Sequence, residues 1–248
     1  MSASATRWER VAGIAHRGAS QEAPENTLAA FRRALDAAAP AVEFDVQRTR
    51  DGRLVVIHDQ TVDRTTDGRG PVSALTFEEL RRLDAGRWFG PPFADERVPS
   101  VDEVLDLVRG RAFVLLEIKN GPVFYEGIES QVADALRRHG MVEGALVMSF
   151  DHPAVRAMRA AAPEVATGIV YAARLADMVG AARAAGANAV CPVWHLVTAD
   201  VVAEAHAAGL GVFPWTIDDE PAMRRCLEWG VDGVTSNDVR LLARVARR

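Results

Sequence analysis

The sequence predicts an α/β protein, a single (β/α)8 barrel of the TIM type, and three observations predict it. Short apolar runs alternate with helical patterns from one end of the chain to the other, which implies a parallel sheet. The runs are continuously apolar, as strands covered on both faces are. The length, 248 residues, matches the roughly 250 that such a barrel takes.

The first run is 11–15, followed by a helical pattern at 27–38. Runs follow at 42–46 and 54–57, separated only by a short stretch containing Asp51-Gly52. Parallel neighbours need a crossover of about a dozen residues or more, whereas Asp-Gly between apolar runs signals a hairpin. The 54–57 run is therefore a return strand, antiparallel to 42–46 and outside the barrel count. Reflection through the turn, centred between Asp51 and Gly52, brings His58 back to the height of Asp45. From Asp59 to Val98 turn chemistry dominates, with one short helical pattern at 76–83, and this reads as a rim excursion and not a domain. Strand and helix patterns then alternate as 101–108, 113–118, 125–138, 145–148, 153–161, 166–170, 175–185, 189–191, 199–208, 212–215, 220–229, 233–235 and 239–246. Gly186, Gly209 and Gly230 mark helix ends. Residues 1–248 thus read as one barrel domain.

The net charge of -5 speaks against nucleic acid or an anionic membrane surface, both of which ask for a clustered basic excess. Cys191 and Cys226 are too few for a disulfide framework and sit among small apolar residues. Residues 1–10 carry no apolar leader, and no run approaches about 18 apolar residues, so the expectation is a cytoplasmic protein without stable membrane association. Lys119 is the only lysine in a chain that otherwise uses arginine, which suggests a position where a compact ammonium is needed instead of a planar fork.

Catalytic groups of an α/β barrel lie at the C-terminal ends of its strands. There the sequence places His16-Arg17-Gly18, Glu43 and Asp45, His58-Asp59, and Glu117 with Lys119, followed by Ser149, Tyr171, Trp194-His195, Trp215-Thr216 and Ser236-Asn237. The ionisable groups gather on the first three barrel strands. Glu43 and Asp45 are two apart and face one side of a strand, as do Glu117 and Lys119. Three carboxylates at one barrel mouth require a cation or large pKa shifts, and an oxygen-only donor set suits a hard ion, Mg2+ or Ca2+. His16 and His58 suit acid–base work. Arg17 and Lys119 can neutralise phosphate oxygens, and Asp59 can orient an imidazole. Taken singly, the Glu43/Asp45 pair also reads as a salt-bridged strand end, and either histidine as a capping or packing residue. Their joint occurrence is what points to chemistry. Trp215 reads as a pocket wall or as a rim residue of the core. His139, His152 and His206 lie in helical segments and read as surface or capping residues, and His195 follows a strand.

With these residues assembled, the chain resembles the glycerophosphodiester phosphodiesterases. The resemblance rests on His16-Arg17-Gly18, Pro24-Glu25-Asn26-Thr27, Glu43-Phe44-Asp45-Val46, His58-Asp59, Arg64-Thr65-Thr66 with Gly68, Val98-Pro99-Ser100, Glu117-Ile118-Lys119, Ser149-Phe150-Asp151 and Trp215-Thr216, in that order. It implies metal-dependent hydrolysis of a glycerophosphodiester to glycerol 3-phosphate and an alcohol, in a barrel holding one Mg2+ or Ca2+. It further implies His16 and His58 as the catalytic pair, Glu43, Asp45 and Glu117 as metal ligands, Arg17 and Lys119 on the phosphate, and Glu25-Asn26 in the loop shaping the site, with Asn26 as a hydrogen-bond donor. Which histidine is acid and which base stays open, as does the first nucleophile, water or the glycerol hydroxyl. Two departures lie at the last strands' rim: Asp218 stands where the family pattern often has Asn, and Val234-Thr235-Ser236-Asn237 where it often reads Ile-Ile-Thr-Asp. The alternatives are a lysophospholipase D-type enzyme on the same barrel, with 88–93 as a candidate apolar loop, and a non-catalytic glycerophosphodiester-binding barrel.

Overall fold

The computed structural model describes residues 11–246; the reading of residues 1–10 lies outside them. Eight parallel strands carry the fold: β1 (Gly13–Ala15), β2 (Ala41–Arg48), β4 (Phe113–Ile118), β5 (Ala145–Ser149), β6 (Ala166–Tyr171), β7 (Ala189–Pro192), β8 (Gly211–Val212) and β9 (Val234–Ser236). The ninth, β3 (Leu54–Val56), pairs antiparallel with β2. The order along the sheet is β8-β7-β6-β5-β4-β2-β1-β9. Its two ends meet through backbone hydrogen bonds from Asp232 to Val212 (3.0 Å), Thr235 to Pro214 (3.0 Å) and Ile217 to Thr235 (2.8 Å), so the sheet curls into the expected barrel. β8 is shorter than its apolar run, although the N–H groups of Phe213 and Trp215 still donate to Val190 and Pro192 of β7 at 3.0 and 3.1 Å.

The helices are α1 (Leu28–Asp36), α2 (Phe77–Arg81), α3 (Val101–Val108), α4 (Ile128–Arg138), α5 (His152–Ala161), α6 (Met178–Ala185), α7 (Ala199–Ala207), α8 (Glu220–Glu228) and α9 (Val239–Val245). Local chemistry sets their ends. Thr27 caps α1, and Thr76 and Ser100 open α2 and α3 in reciprocal capping boxes with Glu79 and Glu103, each satisfying N–H groups that a helix leaves orphaned. Gly186 closes α6 at φ 67°.

Period-two alternation sorts β2 into two faces. Val42, Phe44 and Val46 point outward into the shell of helices, where Phe44 meets Phe31 of α1 edge to face. Ala41 points inward with Ile14, Leu115, Leu146, Met148, Cys191 and Phe213 to fill the barrel axis. This interior plug leaves only the upper end of the barrel for polar side chains.

The hairpin differs from its expectation by one residue. Val46 pairs with Val56 and Arg48 with Leu54, so the turn is centred on Asp51 and Asp45 lies opposite Ile57, whose N–H it accepts at 3.0 Å. The excursion between β3 and β4 packs with Val55 of β3 into its own apolar cluster, made further of Ile57, Val62, Val72, Leu80, Ala85 and Val98. Among the described residues no helix is long and apolar enough to cross a membrane.

Candidate active site

The site starts where β1 ends. Arg17 and Asn26 both adopt positive φ, 55° and 59°, and Asn26 N–H donates to Arg17 O at 3.0 Å, folding the segment after β1 back over the barrel mouth. Gly18 makes this possible: its φ is +80°, and a Cβ there would lie 2.7 Å from the Ala30 carbonyl carbon. The turn aims the Arg17 N–H at Glu43 Oε2 (2.9 Å) and holds His16 beside it, Nε2 3.9 Å from the same oxygen.

β2 and β4 supply the acids. Asp45 sits level with Glu117 across the sheet, and Glu43 one layer below, level with Leu115. All three side chains are buried, and one oxygen from each lies within 4.8 Å of the others. Lys119 donates to Glu117 Oε1 at 2.7 Å and stands 3.2 Å from Asp45 Oδ1. Asn26 Nδ2 donates to Asp45 Oδ2 at 2.8 Å. Burial raises the Glu43 carboxyl, with Asp45 adding to the effect, and pushes Glu117 up to about 7 against the pull of Lys119. Burial acts on Asp45 too, but the charges of Lys119 and Arg17 outweigh it and hold that carboxyl well below the usual range. Three carboxylates packed this closely could hold a metal ion.

His58 comes off β3 and reaches the mouth although its register is shifted. Gln47 of β2 draws the strand end inward, its Nε2 lying 3.2, 2.9 and 2.5 Å from the carbonyls of Ile57, His58 and Asp59. His58 Nδ1 donates to Asp59 Oδ1 at 2.7 Å. Burial lowers both imidazoles: His16 falls to about 4, with Arg17 adding to the effect, and His58 falls against the opposing pull of Asp45.

His16, Arg17, Glu43, His58, Glu117 and Lys119 line one cavity of about 110 Å³, whose floor is Leu115, Met148, Val170, Cys191 and Phe213. Trp215 forms its far wall, fixed by donation of Nε1 to Cys191 O at 2.8 Å and stacked edge to face on Phe150. Asp45, Asn26 and Asp59 support this wall without lining it. His195 does not line it either. His139, His152 and His206 are held by Asp102 and Asp106, by Val170 O and by Asp232.

Sequence reasoning missed the groups that hold this set together. Arg64 grips two carboxylates, Asp59 (Nε 2.6 Å, Nη2 3.0 Å) and Glu25 (Nη1 2.8 Å, Nη2 2.7 Å). Glu25 also accepts from Arg17 Nη1 at 2.8 Å. A continuous chain therefore runs from His58 through Asp59, Arg64 and Glu25 to Arg17. Arg64 appears in the sequence only as a member of a motif string and Glu25 only as part of the loop shaping the site, and nothing in their spacing reports that they meet. The Arg17 Nε is buried and makes no hydrogen bond, although it lies 3.3 Å from Asp45 Oδ2.

The chain is similar to known proteins over nearly its whole length. Residues 16–241 match the glycerophosphoryl diester phosphodiesterase family. A glycerophosphodiester phosphodiesterase of Caldanaerobacter subterraneus subsp. tengcongensis is 40% identical over 236 residues, spanning 95% of this chain and 97% of that one. One from Bacillus subtilis is 32% identical over 250 residues, spanning 92% and 84%. Among solved structures, a glycerophosphodiester phosphodiesterase from Agrobacterium tumefaciens superposes with a TM-score of 0.83 at 32% identity, covering 95% of this chain and all of that one. A phosphodiesterase from Oleispira antarctica, solved with the product sn-glycerol-3-phosphate, superposes at 0.84 with 29% identity, covering 94% and 95%.

Proposed function

The chain belongs to the glycerophosphoryl diester phosphodiesterase family, and from that premise we propose that it hydrolyses glycerophosphodiesters to glycerol 3-phosphate and an alcohol. The observation that carries the proposal is the convergence of two imidazoles, an arginine–lysine pair and the carboxylates of Glu43 and Glu117 on one cavity, with Asp45 packed against them behind its wall.

Glu43, Asp45 and Glu117 fit one divalent cation, Mg2+ or Ca2+, since all three donors are carboxylate oxygens. Such an ion supplies neutralisation of the charge that develops on the phosphoryl oxygens. Arg17 and Lys119, which both line the cavity, bind the phosphoryl group, Arg17 through its guanidinium and Lys119 as a point charge. His16, kept neutral by burial and by Arg17, takes the proton from the attacking hydroxyl of water or of the glycerol itself. His58, backed by the Asp59 carboxylate, carries positive charge more readily and gives its proton to the leaving alkoxide. Asp59 and Asn26 act by orienting His58 and Asp45. Trp215 bounds the space for the organic part of the substrate. The acidic net charge supports a substrate taken from solution.

The test is release of glycerol 3-phosphate from glycerophosphocholine and glycerophosphoethanolamine by EDTA-treated enzyme with Mg2+ or Ca2+ restored, beside His16→Ala and Glu43→Ala. The expected result is metal-dependent release abolished by both substitutions. Folded wild-type protein that releases nothing with either ion would overturn the assignment. Lysophosphatidylcholine, run in parallel, tests the lipid alternative. Trp88, Phe89 and Phe93 of the rim excursion stack on one another and none of them lines the cavity.

A further inference from the structure

The two departures at the rim of the last strands lie against each other. Asp218 follows β8 and Asn237 follows β9. Asp218 Oδ1 accepts from Ser236 Oγ and from the Asn237 N–H, both at 2.8 Å, and Oδ2 accepts from Asn237 Nδ2 at 2.6 Å. Asn237 Oδ1 in turn lies 2.6 Å from His16 Nδ1 and 2.9 Å from Ser20 Oγ.

We propose that Asp218 and Asn237 form a positioning pair that fixes the tautomer and orientation of His16, a role that rests on the phosphodiesterase reading above. Donors and acceptors decide it. A carboxylate only accepts, so the amide nitrogen of Asn237 must face Asp218. The amide oxygen is thereby turned to His16, and because it too only accepts, His16 Nδ1 carries the hydrogen. Nε2 of the neutral ring is left with its lone pair, on the side of Glu43 and the cavity. The orientation of the Asn237 amide follows from its partners on both ends and does not depend on telling nitrogen from oxygen. The His16 N–H, donated to Ser236 O at 2.9 Å, ties the backbone of the histidine to the same strand end.

Asp218 and Asn237 also work only as a complementary couple. Asn237→Asp alone would set two acceptors 2.6 Å apart. Combining it with Asp218→Asn restores the match: the new amide could accept from Ser236 and donate to the new carboxylate, which could accept from His16.

The experiment measures the imidazole 15N signals of His16 by long-range proton–nitrogen NMR, assigned by their loss in His16→Ala. It compares wild type, Asn237→Ala, Asn237→Asp, Asp218→Asn and the double exchange, with kcat and KM determined for each on glycerophosphocholine. The expected wild-type spectrum has the hydrogen on Nδ1. Asn237→Ala and Asp218→Asn are expected to lose that preference, Asn237→Asp to keep the hydrogen on Nδ1, and all three to lose about 10–100-fold in kcat with little change in KM, as outer-shell partners do. The double exchange should recover most of both. A wild-type spectrum with the hydrogen on Nε2 overturns the proposal even if no variant folds, and so does a double exchange no better than its single parents. The spectrum is read without turnover, so an inactive wild type would sink the functional reading and leave this one to be judged on the tautomer.

Discussion

Replacing Arg64 with alanine tests the chain that couples His58 to Arg17. The guanidinium makes four charge-assisted contacts of 2.6–3.0 Å to Asp59 and Glu25, but its side chain is 44% exposed. Buried hydrogen bonds to charged groups contribute about 1.5–3 kcal/mol and exposed pairs only about 0.2–1. For this half-exposed bidentate bridge a stability loss of about 1–2 kcal/mol follows, or a fall in Tm of about 2–8 °C for a chain of this size. Activity should fall further than that loss explains. Arg64 holds Asp59 down at about 2 as its first partner and keeps Glu25 directed at Arg17. Without it, two carboxylates repel each other beside the site, and both His58 and Arg17 lose their orientation. Outer-shell losses of this kind cost about 10–100-fold, which is about 1.4–2.7 kcal/mol of transition-state stabilisation. The assay is kcat/KM on glycerophosphocholine at saturating metal, with the folded fraction measured at the same temperature. Arg64→Lys, able to serve one carboxylate but not both, should fall between. Wild-type kcat/KM in a folded Arg64→Ala enzyme would refute the coupling.

Three further outcomes follow from the same structure. Cation binding should release protons between about pH 6 and 7, because Glu117 stands at about 7 and Glu43 is raised as well; affinity should weaken as pH falls through this range, read by calorimetry in buffers of differing ionisation enthalpy, and pH-independent affinity would contradict it. Gly18→Ala should lower Tm by several degrees, since the new Cβ meets the Ala30 backbone at 2.7 Å in a left-handed conformation; an unchanged Tm would show that the turn after β1 yields freely. Burial opposes ionisation of Asp84, but the N–H groups of Asp95, Arg87 and Gly86 outweigh it and hold its carboxyl well below the usual range. A depressed folded-state pKa contributes stability above the unfolded value near ~3.9 that is lost as pH falls. Asp84→Asn should therefore destabilise the protein at pH 7, with the gap to wild type narrowing below about pH 4; a gap that stays constant with pH would remove the ionised carboxylate from the account.

What the sequence by itself determined is what one strand or one helix can encode. Runs such as Phe113–Ile118 are apolar because both their faces are covered, and that is legible in composition. The inward aim of Glu43 and Asp45, and of Glu117 and Lys119, follows from a spacing of two along a strand. Asp51-Gly52 announced the return of the chain towards His58. Only the tertiary structure decided how far that return goes, because Gln47 reaches the carbonyls after β3 through its side chain. It alone brought Arg64 to Glu25 across 39 positions and Asn237 to His16 across 221. Those contacts have no local signature. They arise because barrel closure sets the first strand beside the last, and because an excursion of the chain can lay any of its residues on the rim.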